Sequence, residues 1–282
     1  MPHLDPARVQ LPGYDRVEIL DQVGSTNDYG KQILTSDALA RRSWGELSLV
    51  STADQNAGHG RLERVWCAPA GTALATTFIL RPHVNPHRRV APEQYHWFTS
   101  LAALAVCHTL CDLFGLAPTI KWPNDVLVGN RKICGILAQL VLEPEGSISV
   151  LVGVGINLNM TAEQLPVPTA TSVLVENGRV GGIAEVLNTF ATHFEMLYRG
   201  FASTLFEAEQ PFLGASLLER LRGRMGTIGS HLTIHLPGGE TFRGIGLDIS
   251  DTGELIVRAD NGETRQFTVG DVVHVRPDGY GR

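Results

Sequence analysis

The sequence predicts an α+β body followed by a small all-β unit, and three observations carry that expectation. Four strand-like runs, TIKW, DVLV, KICGILAQLVLE and ISVLVGVGINLN, succeed one another between residues 119 and 159. Pro, Asn and Gly turns separate them, which is the pattern of neighbouring strands in one sheet. Tyr95–Phe114 and Ile183–Phe201 read instead as long helices, the first with Leu101, Leu104 and Ala105 on one face. After Gly223 no helical period remains. Short strand-like runs from Thr227 to Arg276 are broken by Pro237-Gly238-Gly239, Asp251-Thr252-Gly253 and the hairpin pair Asn261-Gly262, which predicts a small β-barrel of about sixty residues.

In chain order, VEILDQV (17–23) reads as a strand, and STND starts a helix with Ser25 or Thr26 as cap and Asp28 in its first turn. ELSLVSTADQ (46–55) is a strand, NAGHGRLERVW (56–66) a polar loop containing glycine, and Thr72–Leu80 a further β run. Ser216–Leu221 is a short helix before the texture changes, so the expected units are residues 1–222 and 223–282.

Composition narrows the class. With 282 residues, 43% apolar and 18% charged, the chain fits neither a disordered nor a collagen-like protein. No window approaches the ~18 uninterrupted apolar residues of a membrane span. The opening MPHLDPARVQ lacks the basic and apolar regions of a signal peptide. A formal charge of −6 argues against general nucleic-acid affinity. Four cysteines, none in CxxC, predict reduced thiols and a cytoplasmic location. Of the 23 basic residues only Lys31, Lys121 and Lys132 are lysine, and two of these fall within KWPNDVLVGNRK.

Several standard motifs are excluded. Gly153-Val154-Gly155 lacks the third glycine and the following helix of a dinucleotide loop, and there is no GxxxxGK[ST] or GxSxG. Cys107 and Cys111 lie four apart with no matching ligand pair, so they read as packed thiols and no metal ligand is assigned. What remains is a constellation. Gly58, His59, Gly60, Arg61 and Arg64 form a small-residue loop with charge for an anion; on physics alone a solvated loop fits equally well. Lys121 ends a β run between Ile120 and Trp122, where either an anion or a snorkelling stem would suit it. Asn157 ends a strand after two glycines. Ser25-Thr26-Asn27 is a helix cap that also offers N–H groups and hydroxyls to a small polar ligand.

Taken in order, STN (25–27), ADQNAGHGRLERVW (53–66), KWPNDVLV (121–128), KICGIL (132–137), GVGINLN (153–159) and GDVVHVRP (270–277) resemble the biotin–protein ligases (biotin–[acetyl-CoA-carboxylase] ligases) of the short type without a DNA-binding N-terminus. The resemblance implies a mixed-sheet catalytic domain related to class II aminoacyl-tRNA synthetases, followed by an SH3-like barrel. It implies biotin, ATP and Mg2+, a biotinyl-5′-AMP intermediate, and the biotin carboxyl carrier protein as acceptor. No nucleic acid or membrane is expected, and a homodimer is left open. By the same resemblance Lys121 meets both the biotin carboxylate and the phosphate, with Arg61 beside it as a second catalytic group. Ser25, Thr26, Asn27, Gln55, Gly58, His59, Gly60, Arg61, Lys121 and Gly135 fall to biotin. Arg64, Trp66 (stacking on adenine), Asn124, Lys132 and Asn157 fall to the nucleotide.

The chain departs from that family in two places. Its loop reads GHGRLER where GRGRxGR is usual, so His59 replaces an arginine and Glu63 a glycine, and Gln139 stands in place of the GILxE glutamate. A lipoate–protein ligase and a non-catalytic biotin binder are the competing readings. Repression is set low, since no helix-turn-helix precedes Val17.

Overall fold

The computed structural model describes residues 4–61, 64–85, 90–236, 238–268 and 271–274. Strands β1 (Arg16–Leu20), β2 (Leu47–Thr52), β5 (Ala73–Leu80), β6 (Pro118–Lys121), β7 (Asp125–Val128), β8 (Arg131–Leu142) and β9 (Ile148–Asn157) form one seven-stranded sheet. Its order is β1-β2-β5-β9-β8-β7-β6, with β1 and β2 parallel and every other neighbour antiparallel. The sequence reading of four consecutive strands in one sheet therefore holds, and they occupy one end of it.

Strand alternation sorts the two faces. Even-numbered residues of β9, Val150, Val152, Val154 and Ile156, pack into the main core beneath α3 (Trp97–Phe114) and α5 (Ile183–Ser203). By length and composition α3 could cross a membrane, but it lies against the sheet and α5 with most of its residues buried. A helix apolar on all sides is what an internal position demands. It stops at Gly115, whose φ of 64° supplies the left-handed cap. Phe78 stacks on Phe194 at 3.8 Å to anchor α5.

On the opposite face, α1 (Thr26–Thr35) covers Ile79 and Leu151 in a smaller cluster with Leu34, Trp44, Val50 and Val141. Ser25 is the cap, its Oγ accepting from Asp28 N at 3.2 Å. Under the first turn of α1, β9 carries Gly153, where a Cβ would meet Asn27 Oδ1 at 2.3 Å, and Gly155 follows beneath Trp66.

The far end of the sheet is locked by charge. Glu143, in the turn after β8, is 1% exposed and accepts from Arg81 Nε (2.8 Å) and Nη2 (2.7 Å). Arg41, at the end of α2 (Ala38–Arg41), lies 3.3 Å away, and Ser149 donates its hydroxyl to the same carboxylate.

After α4 (Val173–Asn177), α5 and α6 (Leu217–Arg222), the backbone of Arg224–Gly226 lies alongside β6. Ile120 N donates to Arg224 O at 2.7 Å, and Gly226 N to Ile120 O at 2.9 Å. Next come β10 (His231–His235), β11 (Thr241–Ile249), β12 (Leu255–Arg258), β13 (Thr264–Phe267) and β14 (Asp271–His274), an antiparallel sheet of order β13-β12-β11-β10-β14. The all-β reading holds. The expected barrel is seen as this five-stranded sheet, in which, among the described residues, no pairing joins β13 to β14. Trp122 ties the two parts together: its N–H bonds Thr227 Oγ1 at 3.0 Å, and its indole N–H bonds Gly253 O at 3.1 Å.

Candidate functional site

A cavity of about 420 Å3 lies over the sheet, between the N-terminus of α1 and a small hairpin. The hairpin pairs β3 (Gly58–His59) with β4 (Val65–Trp66) and is closed by Gly60 N donating to Arg64 O. Of the residues singled out from sequence, Ser25, Thr26, Asn27, Gln55, His59, Gly60, Arg61, Arg64, Trp66, Asn124, Lys132, Gly135 and Asn157 line it. Segments remote in the chain thus converge on one space.

Lys121, expected at the centre of the site, is not among the residues that line the cavity. Across the sheet Lys121 pairs with Asp125, Asp125 with Gly135, Gly135 with Gly155 and Gly155 with Ala75. Directly paired residues share a face, and the last four of this row line the cavity. Lys121 stands at the outer strand, roughly 10 Å or two strand spacings from Gly135. Gly58 also lies outside the lining; a Cβ there would meet Gln55 Nε2 at 2.4 Å, so its role is to leave room for that amide.

The lysine inside the cavity is Lys132, and a β-bulge puts it there. Cys134 pairs with Val126 and Lys132 with Leu127, so β8 advances two residues while β7 advances one. Strict alternation from Gly135 would turn Ile133 to the cavity and Lys132 to the core. With the bulge, Ile133 joins Cys134 in the core at 0% exposure, and Lys132 faces the cavity beside Asp125, Nζ to Oδ1 2.6 Å. Re-aiming a side chain in this way is what bulges do beside functional sites.

The glycines make the floor. A Cβ on Gly155 would sit 2.5 Å from Trp66 Cε2, and one on Gly135 would sit 3.0 Å from both Trp66 Cζ3 and Lys132 Nζ. The indole therefore lies flat against the strands, with Lys132 Nζ 5.8 Å from its ring centre. Gly155→Ala is expected to lift Trp66 off the sheet and shift tryptophan emission to the red, because Trp44, Trp97 and Trp122 are buried elsewhere. Fluorescence of the Gly155→Ala/Trp66→Phe double variant should lack that shift; if the shift persists, the close-contact account is wrong.

The walls are fixed by hydrogen bonds. Gln55 Oε1 accepts from Thr26 N (2.9 Å) and Thr26 Oγ1 (3.1 Å). Thr77 donates to Asn27 Oδ1 at 2.7 Å, while Asn27 Nδ2 donates to Leu137 O and to Gln139 Oε1, both at 3.2 Å. Gln139, the substituted position, thus orients Asn27. Arg61 Nη1 donates to Asn124 Oδ1 at 3.0 Å and draws the hairpin over the cavity. His59 Nε2 lies 2.9 Å from Asp28 Oδ2 on α1. Asn157, 4% exposed, spends its amide nitrogen on Thr171 O at 2.9 Å. Glu63, part of the loop departure, lies outside the described residues, and of the segment 270–277 only Asp271–His274 is described.

Sequence reasoning missed one wall. Pro166, Val167, Thr169 and Ala170 line the cavity, as does the thiol-bearing Cys67. The segment has no period and no charge, and its only signal was its Pro–Thr composition. Among the described lining residues Asp125 is the one carboxylate, and among all described residues no cluster of three or more His, Cys, Asp and Glu could hold a metal. The cavity therefore presents fixed positive charge on an apolar, glycine-floored bed, suited to an acid that must meet a phosphate.

Comparison with known proteins agrees. Residues 20–159 match the biotin/lipoate A/B protein ligase family, and residues 227–275 match the biotin protein ligase C-terminal domain. The biotin–[acetyl-CoA-carboxylase] ligase of Mycobacterium tuberculosis is 32% identical over 94% of this chain and 91% of its own length. The Aquifex aeolicus biotin protein ligase solved with biotin and ATP shares the fold at a TM-score of 0.71, with 21% identity over 92% of this chain and 98% of that one. The Leishmania major enzyme solved with biotinyl-5-AMP does so at 0.59, with 18% identity over 92% and 100%.

Proposed function

The chain belongs to the biotin–protein ligase family, and from that premise we propose that it is an ATP-dependent ligase that activates biotin and transfers it to a lysine of a carboxyl carrier domain of acetyl-CoA carboxylase. The observation that carries the reading is Lys132, turned by a bulge into a cavity capped by the N-terminus of α1 and covered by a hairpin bearing Arg61 and Arg64.

The chemistry needs such a site. Biotin carboxylate and a triphosphate repel one another, and fixed positive charge is what lets them approach. A carboxylate oxygen attacks the α-phosphorus, the bond to the β-phosphate breaks, and pyrophosphate leaves. The acceptor amine then attacks the acyl carbon; an amide forms, AMP leaves, and the amine sheds a proton. In this reading Lys132 bridges the carboxylate and the α-phosphate, Arg64 meets phosphate, and Ser25, Thr26 and Gln55 bond the ureido ring. Trp66 lies over the glycine floor, against biotin or adenine. The hairpin shields the adenylate from water. Mg2+ would enter with ATP as substrate, and among the described lining residues Asp125, beside Lys132, is the one carboxylate that could help hold it.

The finer expectations belong with this reading: units 1–222 and 223–282, a catalytic domain related to class II aminoacyl-tRNA synthetases, an SH3-like second unit, and a cytoplasmic site of action consistent with four free thiols. Nucleic acid and membranes stay outside the set of partners, and a homodimer is a matter for sedimentation. The test is incubation with biotin, MgATP and a carrier domain, read as mass gained on the acceptor lysine. Absence of both that gain and biotin-dependent pyrophosphate release overturns the proposal. Lipoate in place of biotin should give less than a tenth of the product, because a site hydrogen-bonded to a ureido group rejects an acid lacking it by a large factor, ~10⁴ in favourable cases.

A further inference from the structure

We infer that Glu176, on α4 and outside the cavity lining, is a positioning residue that holds Lys132 in its bulged conformation; the inference rests on the proposed function for what Lys132 does. At the bulge the backbone of Lys132 is bonded to the segment before α4. Its N–H donates to Thr169 O at 2.7 Å, and its carbonyl accepts from Thr171 N at 2.8 Å. These two bonds, with the parallel bridge to Ala170, fix the peptide planes on both sides of the lysine.

Glu176 braces both partners of that junction. Its Oε1 accepts from Thr171 Oγ1 at 2.6 Å and from Arg131 Nη2 at 2.9 Å. One carboxylate oxygen thus ties the residue before Lys132 to the residue that bonds the Lys132 carbonyl. The geometry is sheltered: Thr171 is fully buried and the Glu176 side chain is 13% exposed. Thr171 O also receives Asn157 Nδ2, so the same brace orients a second lining residue. Without Glu176, Thr171 and Arg131 lose their common anchor, and the bulge can relax toward regular alternation, which turns Lys132 from the cavity.

The scarcity of lysine makes this testable without substrate. With only Lys31, Lys121 and Lys132 in the chain, N-hydroxysuccinimidyl acetate labelling followed by peptide mass spectrometry reports each ammonium separately. In Glu176→Ala the rate at Lys132 relative to exposed Lys31 is expected to change by about fivefold, the scale of one hydrogen bond. With biotin and MgATP, kcat for adenylate formation should fall about tenfold or more, as small misplacements do, with a smaller change in KM for biotin. Glu176→Gln, which keeps an oxygen for Thr171 and Arg131, should restore most of both. If Glu176→Ala does not fold, Arg131→Ala serves, and should change Lys132 labelling relative to Lys31. Unchanged Lys132 labelling in the folded variant, or no rescue by glutamine, overturns the inference. If labelling changes as expected while the wild-type protein makes no adenylate, the positioning stands and the proposed function fails.

Discussion

Lys132→Ala lowers adenylate formation by about 10²–10³, the loss seen when a preorganised donor to developing charge is removed, whereas Lys121→Ala stays within about tenfold of wild type. The contrast follows from the row of paired residues that puts Lys121 one strand beyond the lined floor and from the bulge that puts Lys132 inside it. Single-turnover pyrophosphate release, with circular dichroism to confirm folding, separates the two. A wild-type rate in Lys132→Ala, or an equal loss in Lys121→Ala, would return the central role to the strand-end lysine. Lys132→Arg should also be slow, because a planar five-donor fork cannot take the place of a compact ammonium above Gly135.

Glu143→Gln destabilises the fold by about 3–5 kcal/mol, the cost of leaving a buried cation without its counter-charge. Arg81 and Arg41 are 7% and 4% exposed and both face this carboxylate, so neutralising it leaves Arg81 without a carboxylate partner in the interior, while Arg41 keeps its ion pair with Glu145. At about 2–4 °C per kcal/mol for a chain of this class, the melting temperature should drop by roughly 10 °C. A thermal melt within 2 °C of wild type, on that same scale, would show the network to be dispensable. The pH dependence has a definite sign. Burial alone would raise the Glu143 pKa, but hydrogen bonds from Arg81 and Ser149 and the Arg81 charge outweigh it and leave it below the usual glutamate value. The stabilisation is thus fully present above the unfolded value near ~4.3. It is lost as pH falls through the lower folded value.

Much of this was legible because it depends on local rules. Ser25 caps α1 as its hydroxyl predicts, the apolar run of α3 ends at a glycine, and the alternation in β9 shows which residues face the core. The glycines at 153 and 155 signalled close approach. What approaches them could not be read: Asn27 of α1 lies over Gly153, and Trp66 is brought over Gly155 by a hairpin whose position depends on Arg61 reaching Asn124. The resemblance gave Lys132 to the nucleotide, but its facing the cavity was not legible: an unbroken period of two along KICGIL turns it to the core, and only the bulge reverses that face. The Glu143 lock and the Pro166–Ala170 wall were invisible for another reason: each joins ends of elements far apart in sequence, and charge or composition alone does not say which ends meet.

The strip of backbone from Arg224 to Gly226 that borders β6 ties the order of synthesis to the completeness of the molecule. A ribosome releases β6 long before it releases Met225, and until then Ile120 offers both an N–H and a carbonyl at an open sheet margin. Such a margin is a template for foreign strands. That margin is closed only once the last quarter of the chain has emerged and Arg224–Gly226 can pair with Ile120.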